Sequence, residues 1–326
     1  MMPIAEETRA RLAGIPNLTV SADTPLAPYT RFGIGGPADL YAETASVEAF
    51  IAAVAAARET GIPVVVIGGG TNLIVSDDGF RGMVLRYRGD ALVAAEGRVV
   101  VQAGAVLQDL VDFTVARGLK GIETLAGIPG SVGAAVYGNA GAYGHSISER
   151  VVRVQFYDGE CVRVIDNAEC QFHYRESIFK QHKEWVIFSA QLLLDRDDAA
   201  VLRRTADEIV KVRNEKFPVT MKCAGSIFKN LMLGDLPRPV AEQVPPKVVR
   251  EGKIPAAWFL EQAGAKGLSR GDIRVADYHA NLIYNAGAGT AADLCALIAE
   301  LKDRVRSRFG MELEEEVQYV GDHLGR

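Results

Sequence analysis

A chain of 326 residues is long enough for about two domains, and its 48% hydrophobic and 24% charged residues exclude a disordered protein. A net charge of −5, with the basic residues dispersed, argues against a nucleic-acid or anionic-membrane surface. Four cysteines, Cys161, Cys170, Cys223 and Cys295, stand far apart without metal-like spacing and read as reduced, mostly buried thiols.

The opening MMPIAEETRARLAGIPN has no basic start leading into an apolar run, so no secretory leader is expected. The most apolar helical stretch, residues 49–57, falls short of the roughly 20 residues that cross a bilayer. A cytoplasmic protein is the expectation. Ser46 suits the N-cap of a helix over Val47–Glu59, with Gly61 placed to end it. The apolar run 63–67 stops at Gly68-Gly69-Gly70, as a buried strand leading into a loop does. Residues 83–86 and Arg98–Gln102 read as strands. Val106, Leu110, Val111, Phe113 and Val115 form one face of a helix closed by Gly118.

A glycine-dense stretch, 118–144, comes next. Strands at Val151–Tyr157 and 161–165 flank Asp158-Gly159 as a hairpin, and 185–194 is a further strand. Leu202, Ala206, Ile209, Val210 and Arg213 mark a helix that must end before Pro218, where a domain boundary falls. Pro255 opens a short helix over 256–263, ended by Gly264. Thr290 with Asp293 resembles a capping box ahead of a helix carrying Leu294, Leu297, Ile298, Leu301 and Val305, with Gly310 at its end. The fold class is mixed α and β, a glycine-rich ligand domain followed by a smaller α/β domain.

Gly33-Ile34-Gly35-Gly36-Pro37-Ala38 satisfies the dinucleotide fingerprint G-x-G-x-x-A, but the residues after it read as extended and Pro37 removes an amide. It is rejected. Gly68-Gly69-Gly70-Thr71-Asn72 follows a buried strand, where bare amides can form a nest for an anion and Thr71 and Asn72 add side-chain donors. A second cluster comprises Gly127-Ile128-Pro129-Gly130-Ser131-Val132-Gly133 and Gly138-Asn139-Ala140-Gly141-Ala142-Tyr143-Gly144. Such small-residue density weakens regular structure and lets a backbone approach a flat or phosphorylated ligand. Each loop could instead be a tight turn packed on a sheet. Two such loops suit a dinucleotide, a flavin at least as well as a nicotinamide.

These segments, in order with Tyr174-Arg175-Glu176-Ser177, Ala224-Gly225-Ser226-Ile227-Phe228-Lys229-Asn230 and residues 313–317, resemble the UDP-N-acetylenolpyruvoylglucosamine reductase family. The resemblance runs from about residue 20 to the C-terminus. It implies an α+β architecture: a two-subdomain FAD-binding fold of the vanillyl-alcohol-oxidase type over 20–82 and 83–215, then a C-terminal α/β substrate-binding domain over 216–326. The last strand, about 313–321, would return to the active site. FAD would be the cofactor, NADPH the co-substrate, and a UDP-sugar enolpyruvyl ether the substrate. The product would be UDP-N-acetylmuramate, for peptidoglycan and so for cell shape and division. The resemblance also implies a monomeric cytoplasmic enzyme without nucleic-acid or membrane partners.

Carried over residue by residue, the resemblance makes Ser226 the proton donor, with Arg175 and Glu316 beside the developing enolate and all three sharing one cavity. Lys216, Lys229, Asn230 and Gln262 would contact substrate. Gly68, Gly69, Gly70, Thr71, Asn72, Gly130, Ser131, Gly133, Asn139, Gly141 and Ala142 would hold FAD. Ile227 and Leu231 depart from the family's pattern, and the tyrosine-bearing loop of one subgroup has no counterpart, which implies the shorter subgroup.

The chemistry suits these residue types. Reducing a vinyl ether beside a carboxylate moves charge onto that carboxylate, which an arginine grips through both oxygens. A serine hydroxyl donates a proton only where a nearby cation and a dry pocket lower the cost. Read alone, Arg175 is a loop arginine, Ser226 a turn hydroxyl, and Glu314-Glu315-Glu316 a solvated run in which strand alternation cannot say which carboxylate faces inward. His145, His173, His182, His279 and His323 show no ligand spacing, and no metal is expected. Two other readings stay open: an oxidase of the same flavin fold acting on a small alcohol or sugar, and a non-catalytic nucleotide-sugar or flavin binder.

Overall fold

The computed structural model describes residues 6–322; His323 and the first five residues of the opening segment lie outside them. The chain forms two compact units. The first comprises residues up to Thr24, Ala38–Gly70 and Arg81–Pro218, and the second Pro25–Pro37, Thr71–Phe80 and the chain from Val219 onward. Two short segments early in the chain, 25–37 and 71–80, thus pack with the C-terminal residues.

Two larger sheets form the body of the first unit. One has the order Thr19–Pro25, Pro37–Thr44, Phe80–Tyr87, Val64–Ile67, its last two strands parallel with Val64 beside Met83. The other is antiparallel, ordered Val162–Asp166, Val151–Tyr157, Val186–Leu193, Arg98–Gln102, Leu92–Ala95. A single core joins them: Phe50, Tyr87 and Phe188, one from a helix and one from each sheet, meet edge to face at 5.0–6.2 Å between centroids. The helix Val47–Glu59 starts where the sequence places it, Ser46 Oγ accepting the Ala49 N–H at 3.1 Å.

The hairpin at Asp158-Gly159 is present, its loop running over 158–161, where Asp158 Oδ1 accepts the amides of both Glu160 and Cys161 at 2.8 Å. Three expectations need correction. The strand Val64–Ile67 is not buried: it lies at the edge of its sheet, with Ile67 buried and Val66 37% exposed. The glycine-dense stretch contains a regular element, the helix Val132–Tyr137, whose N-cap is Ser131. Cys161 is exposed in the hairpin loop, whereas Cys170 and Cys223 are buried and Cys295 is half-buried. All four thiols are free.

Burial pushes the Cys170 thiol up to about 12 and that of Cys295 to about 11. At pH 8 a thiol of pKa 12 is ionised only about one part in ten thousand, and the thiolate is the reactive form. Ellman's reagent is therefore expected to modify one thiol rapidly in the native protein, Cys161, and the rest only after denaturation. A Cys161→Ser variant that still reacts rapidly would contradict this.

The second unit has an antiparallel sheet ordered Lys222–Ser226, His279–Asn285, Ile273–Ala276, Ser269–Arg270, covered by the helices Ala256–Gln262 and Ala291–Phe309. The Thr290 capping box is present, reinforced by Asp77, whose carboxylate accepts the Ala291 and Ala292 amides at 2.8 and 2.9 Å. A parallel pair, Leu73–Val75 with Gln318–Val320, brings the end of the chain beside the first glycine loop's exit. Among the described residues, no helix is long and apolar enough to cross a membrane.

Candidate active site

The two glycine clusters meet in the first unit. A Cβ on Gly68 would stand 2.8 Å from Ser131 Oγ, and one on Gly69 would stand 3.2 Å from Gly130 Cα, so side chains at these positions would push the loops apart. Among the described residues, the N–H groups of Gly68, Gly69 and Gly70 make no hydrogen bond. Free amides beside a second bare backbone form a donor set for an anion such as a pyrophosphate. Gly33–Ala38 contributes nothing of the kind, because Pro37 already begins a strand.

Other positions expected to hold cofactor have their donors engaged. The Gly133 N–H is bonded to Ala103 O at 2.8 Å, and its missing side chain admits the Ala103 Cβ. Asn139 Nδ2 donates to His173 O at 2.8 Å. Asn72 Nδ2 donates to Glu316 O at 2.8 Å, because the loop runs straight into a strand paired with the chain's end. Both carboxamides therefore hold a backbone carbonyl at or near a candidate catalytic residue.

Arg175 belongs to the first unit. It sits in a tight turn after His173, its Nη2 donating to Gly141 O at 2.9 Å in the second glycine cluster. Gly141 and Ala142 pair with Ser146 and His145 as a small hairpin. Tyr174 lies under the guanidinium, 5.1 Å from Cζ to ring centroid.

Ser226 and Glu316 come together in the second unit. Ser226 ends the strand Lys222–Ser226, where the ladder with His279–Asn285 slips by one residue between Cys223 and Ser226. Gly225 lies in that slip at φ +77°, with open space where a Cβ would go. Its backbone angle, not crowding, requires glycine, and such bulges re-aim the next side chain. Past the bulge, Glu316 N–H donates to Ile227 O at 2.7 Å and Lys229 N–H to Glu314 O at 2.9 Å, an antiparallel contact centred on Phe228 and Glu315.

The three glutamates divide their work. Glu314 pairs with the buried Lys229 ammonium. Glu315 accepts from Lys302 Nζ at 2.8 Å and from the Tyr319 hydroxyl, and burial with that bond pushes the Tyr319 hydroxyl far above its ordinary range. Glu316 has its backbone fixed on both sides, by Ile227 and by Asn72.

Of the expected substrate contacts, Lys229 and Asn230 follow Ser226 directly, and Asn230 Oδ1 accepts the Ala256 N–H at 3.3 Å. That bond caps the helix that ends at Gln262, which is exposed. Lys216 ends the helix Ala199–Lys216 in the first unit, its ammonium 5.0 Å from the Phe217 ring centroid. Among the described residues no group of His, Cys, Asp and Glu could hold a metal ion.

Sequence reasoning missed Asn281. It is 2% exposed and clamps the segment after Ser226: Oδ1 accepts the Phe228 N–H and Nδ2 donates to Phe228 O, both at 2.9 Å. An asparagine within the strand-like run His279–Asn285 was the available cue, since a polar group in a buried strand needs partners.

Residues 217–320 match the family described as UDP-N-acetylenolpyruvoylglucosamine reductase, C-terminal domain, and residues 38–164 match one described as FAD binding domain. The UDP-N-acetylenolpyruvoylglucosamine reductase of Solibacter usitatus is 71% identical over 311 residues, covering 95% of this chain and all of that one. The Rubrobacter xylanophilus protein of the same name is 39% identical, over 92% and 95% of the two chains. The crystal structure of the Thermus caldophilus reductase aligns with a TM-score of 0.71 at 29% identity, covering 93% of this chain and 98% of that one. The architecture is thus an FAD-binding domain fold followed by an α/β domain, and the chain belongs to the UDP-N-acetylenolpyruvoylglucosamine reductase family.

Proposed function

We propose that this protein reduces UDP-N-acetylglucosamine enolpyruvate to UDP-N-acetylmuramate with NADPH through FAD, in peptidoglycan precursor synthesis. The observation that carries this is 71% identity, across nearly the whole chain, to a reductase of that name. The oxidase reading is not favoured, since the match includes the reductase's own C-terminal domain.

The residues present fit FAD. Gly68, Gly69 and Gly130 offer bare backbone where the two loops touch, and Gly70 follows Gly69. Thr71, Asn72, Ser131, Gly133, Asn139, Gly141 and Ala142 would frame them. When bound, FAD supplies the hydride carrier between NADPH and the enolpyruvyl group. Arg175 holds the substrate carboxylate as charge moves onto it, and Ser226 Oγ gives the proton to the neighbouring carbon, with Glu316 beside the enolate. Lys216, Lys229, Asn230 and Gln262 hold the nucleotide sugar. In this reading residues 20–82 and 83–215 are the FAD subdomains and 216–326 the substrate domain. The enzyme works in the cytoplasm as a monomer on a free nucleotide sugar, without nucleic-acid or membrane partners.

The purified protein is expected to be yellow, bleached by NADPH without air and recoloured by UDP-N-acetylglucosamine enolpyruvate. A colourless protein, or a reduced flavin that air reoxidises rapidly and the enolpyruvyl substrate does not, would overturn the reading. Gly68→Ala tests the cradle. Its Cβ meets Ser131, so flavin affinity is expected to fall about tenfold or more, equivalent to about 1.4 kcal/mol. Equilibrium dialysis of the flavin-free variant against FAD measures it.

A further inference from the structure

The turn that carries Arg175 is held by a cation the reaction does not use. His173 and Glu176 exchange two backbone hydrogen bonds, at 3.0 and 3.1 Å, which leaves Tyr174 and Arg175 as the turn residues. Arg175 has φ +58°, in the left-handed region where a residue with a Cβ is disfavoured and glycine is at ease. Backbone strain of this kind persists only where the surroundings over-determine it.

Lys180 supplies that constraint. It stands on the short helix Ile178–Gln181, directly after the turn, with its side chain 13% exposed. Its ammonium donates to Arg175 O at 2.8 Å and to Glu176 Oε1 at 3.1 Å. One group thus pins the peptide that follows Arg175 and the carboxylate beside it. Asn139 ties the other end of the turn through His173 O, and Ser177 Oγ anchors the helix start to Tyr137 O at 2.6 Å. Methionine would keep the lysine's length and lose both bonds; arginine would keep the charge and the donors.

We propose that Lys180 is a positioning residue for Arg175: its ammonium locks the Tyr174-Arg175 turn with Arg175 in the left-handed region, and so fixes where the guanidinium stands. The proposal rests on Arg175 being the cation that meets the substrate carboxylate. General support of the fold would make a Lys180 variant lose flavin and stability; aiming of Arg175 confines the loss to the step that Arg175 serves.

In the full-length holoenzyme, Lys180→Met is expected to keep its flavin content and NADPH bleaching, and to slow reoxidation by the enolpyruvyl substrate by about tenfold or more. The loss falls on kcat, and Lys180→Arg restores most of it. In an Arg175→Ala background, Lys180→Met adds less than about twofold, as expected when one residue acts through the other. In the flavin-free protein, exchange of the Glu176 amide hydrogen rises about tenfold or more in Lys180→Met, because the turn opens more readily. Unchanged exchange, or an effect that multiplies with that of Arg175→Ala, would overturn the proposal. An Arg175→Ala enzyme that reoxidises like wild type would instead overturn the role of Arg175, leaving the exchange measurement to decide the clamp alone.

Discussion

Ser226→Ala is expected to leave bleaching of the flavin by NADPH nearly intact and to cut turnover by about 10²–10⁴-fold, the range of general-acid catalysis. The asymmetry follows from the chemistry. Hydride leaving NADPH needs no proton from the protein, whereas the enolate formed from the enolpyruvyl group must be protonated on carbon. The bulge at Gly225 makes the test clean, because Ser226 closes the strand beyond the slip and its hydroxyl has no part in the ladder. Rapid mixing of the anaerobic enzyme with each substrate separates the two half-reactions. Equal slowing of both would remove Ser226 from the role of proton donor. Ser226→Cys should recover part of the rate, since a thiol is the stronger acid.

Much of the fold could be read locally. Ser46, Thr290 and Gly310 mark helix ends through their own backbone chemistry, and each acts where its neighbours in sequence place it. The first glycine loop was legible for the same reason: an apolar strand, three glycines, then a strand. What stayed hidden depends on contacts between distant segments. Periodicity could not choose among Glu314, Glu315 and Glu316, because the choice is made by Lys229, Lys302 and the Ile227 and Asn72 backbone bonds. Likewise, Asn72 and Asn139 look like loop donors in sequence. Only the tertiary structure shows their carboxamides holding Glu316 and His173. The short helix Val132–Tyr137 was masked by its glycines; capping by Ser131 and packing on Ala103 outweigh the poor propensity of Gly133.

The second large effect is expected at Asn281. Phe228 has its neighbours Ile227 and Lys229 bonded to the 314–316 segment, so its own N–H and C=O point the other way. There the Asn281 carboxamide stands in for a missing strand, one acceptor and one donor meeting one donor and one acceptor. Asn281→Ala leaves both groups of a residue 1% exposed without partners. At about 1–3 kcal/mol each, the loss is roughly 2–6 kcal/mol of stability, large against a typical total of about 5–15 kcal/mol. Thermal unfolding should show it, together with slowed reoxidation by substrate, because Ser226 and Lys229 flank the freed segment. Asn281→Asp sharpens the test through its pH dependence. Only the protonated carboxyl can donate to Phe228 O, so folding raises its pKa. Stability is then greatest below the unfolded-state pKa and is lost as pH rises through the folded one. The aspartate variant should approach wild-type stability near pH 4 and resemble the alanine variant at pH 8; a melting temperature that tracks wild type at both would mean that the carboxamide is not what holds Phe228.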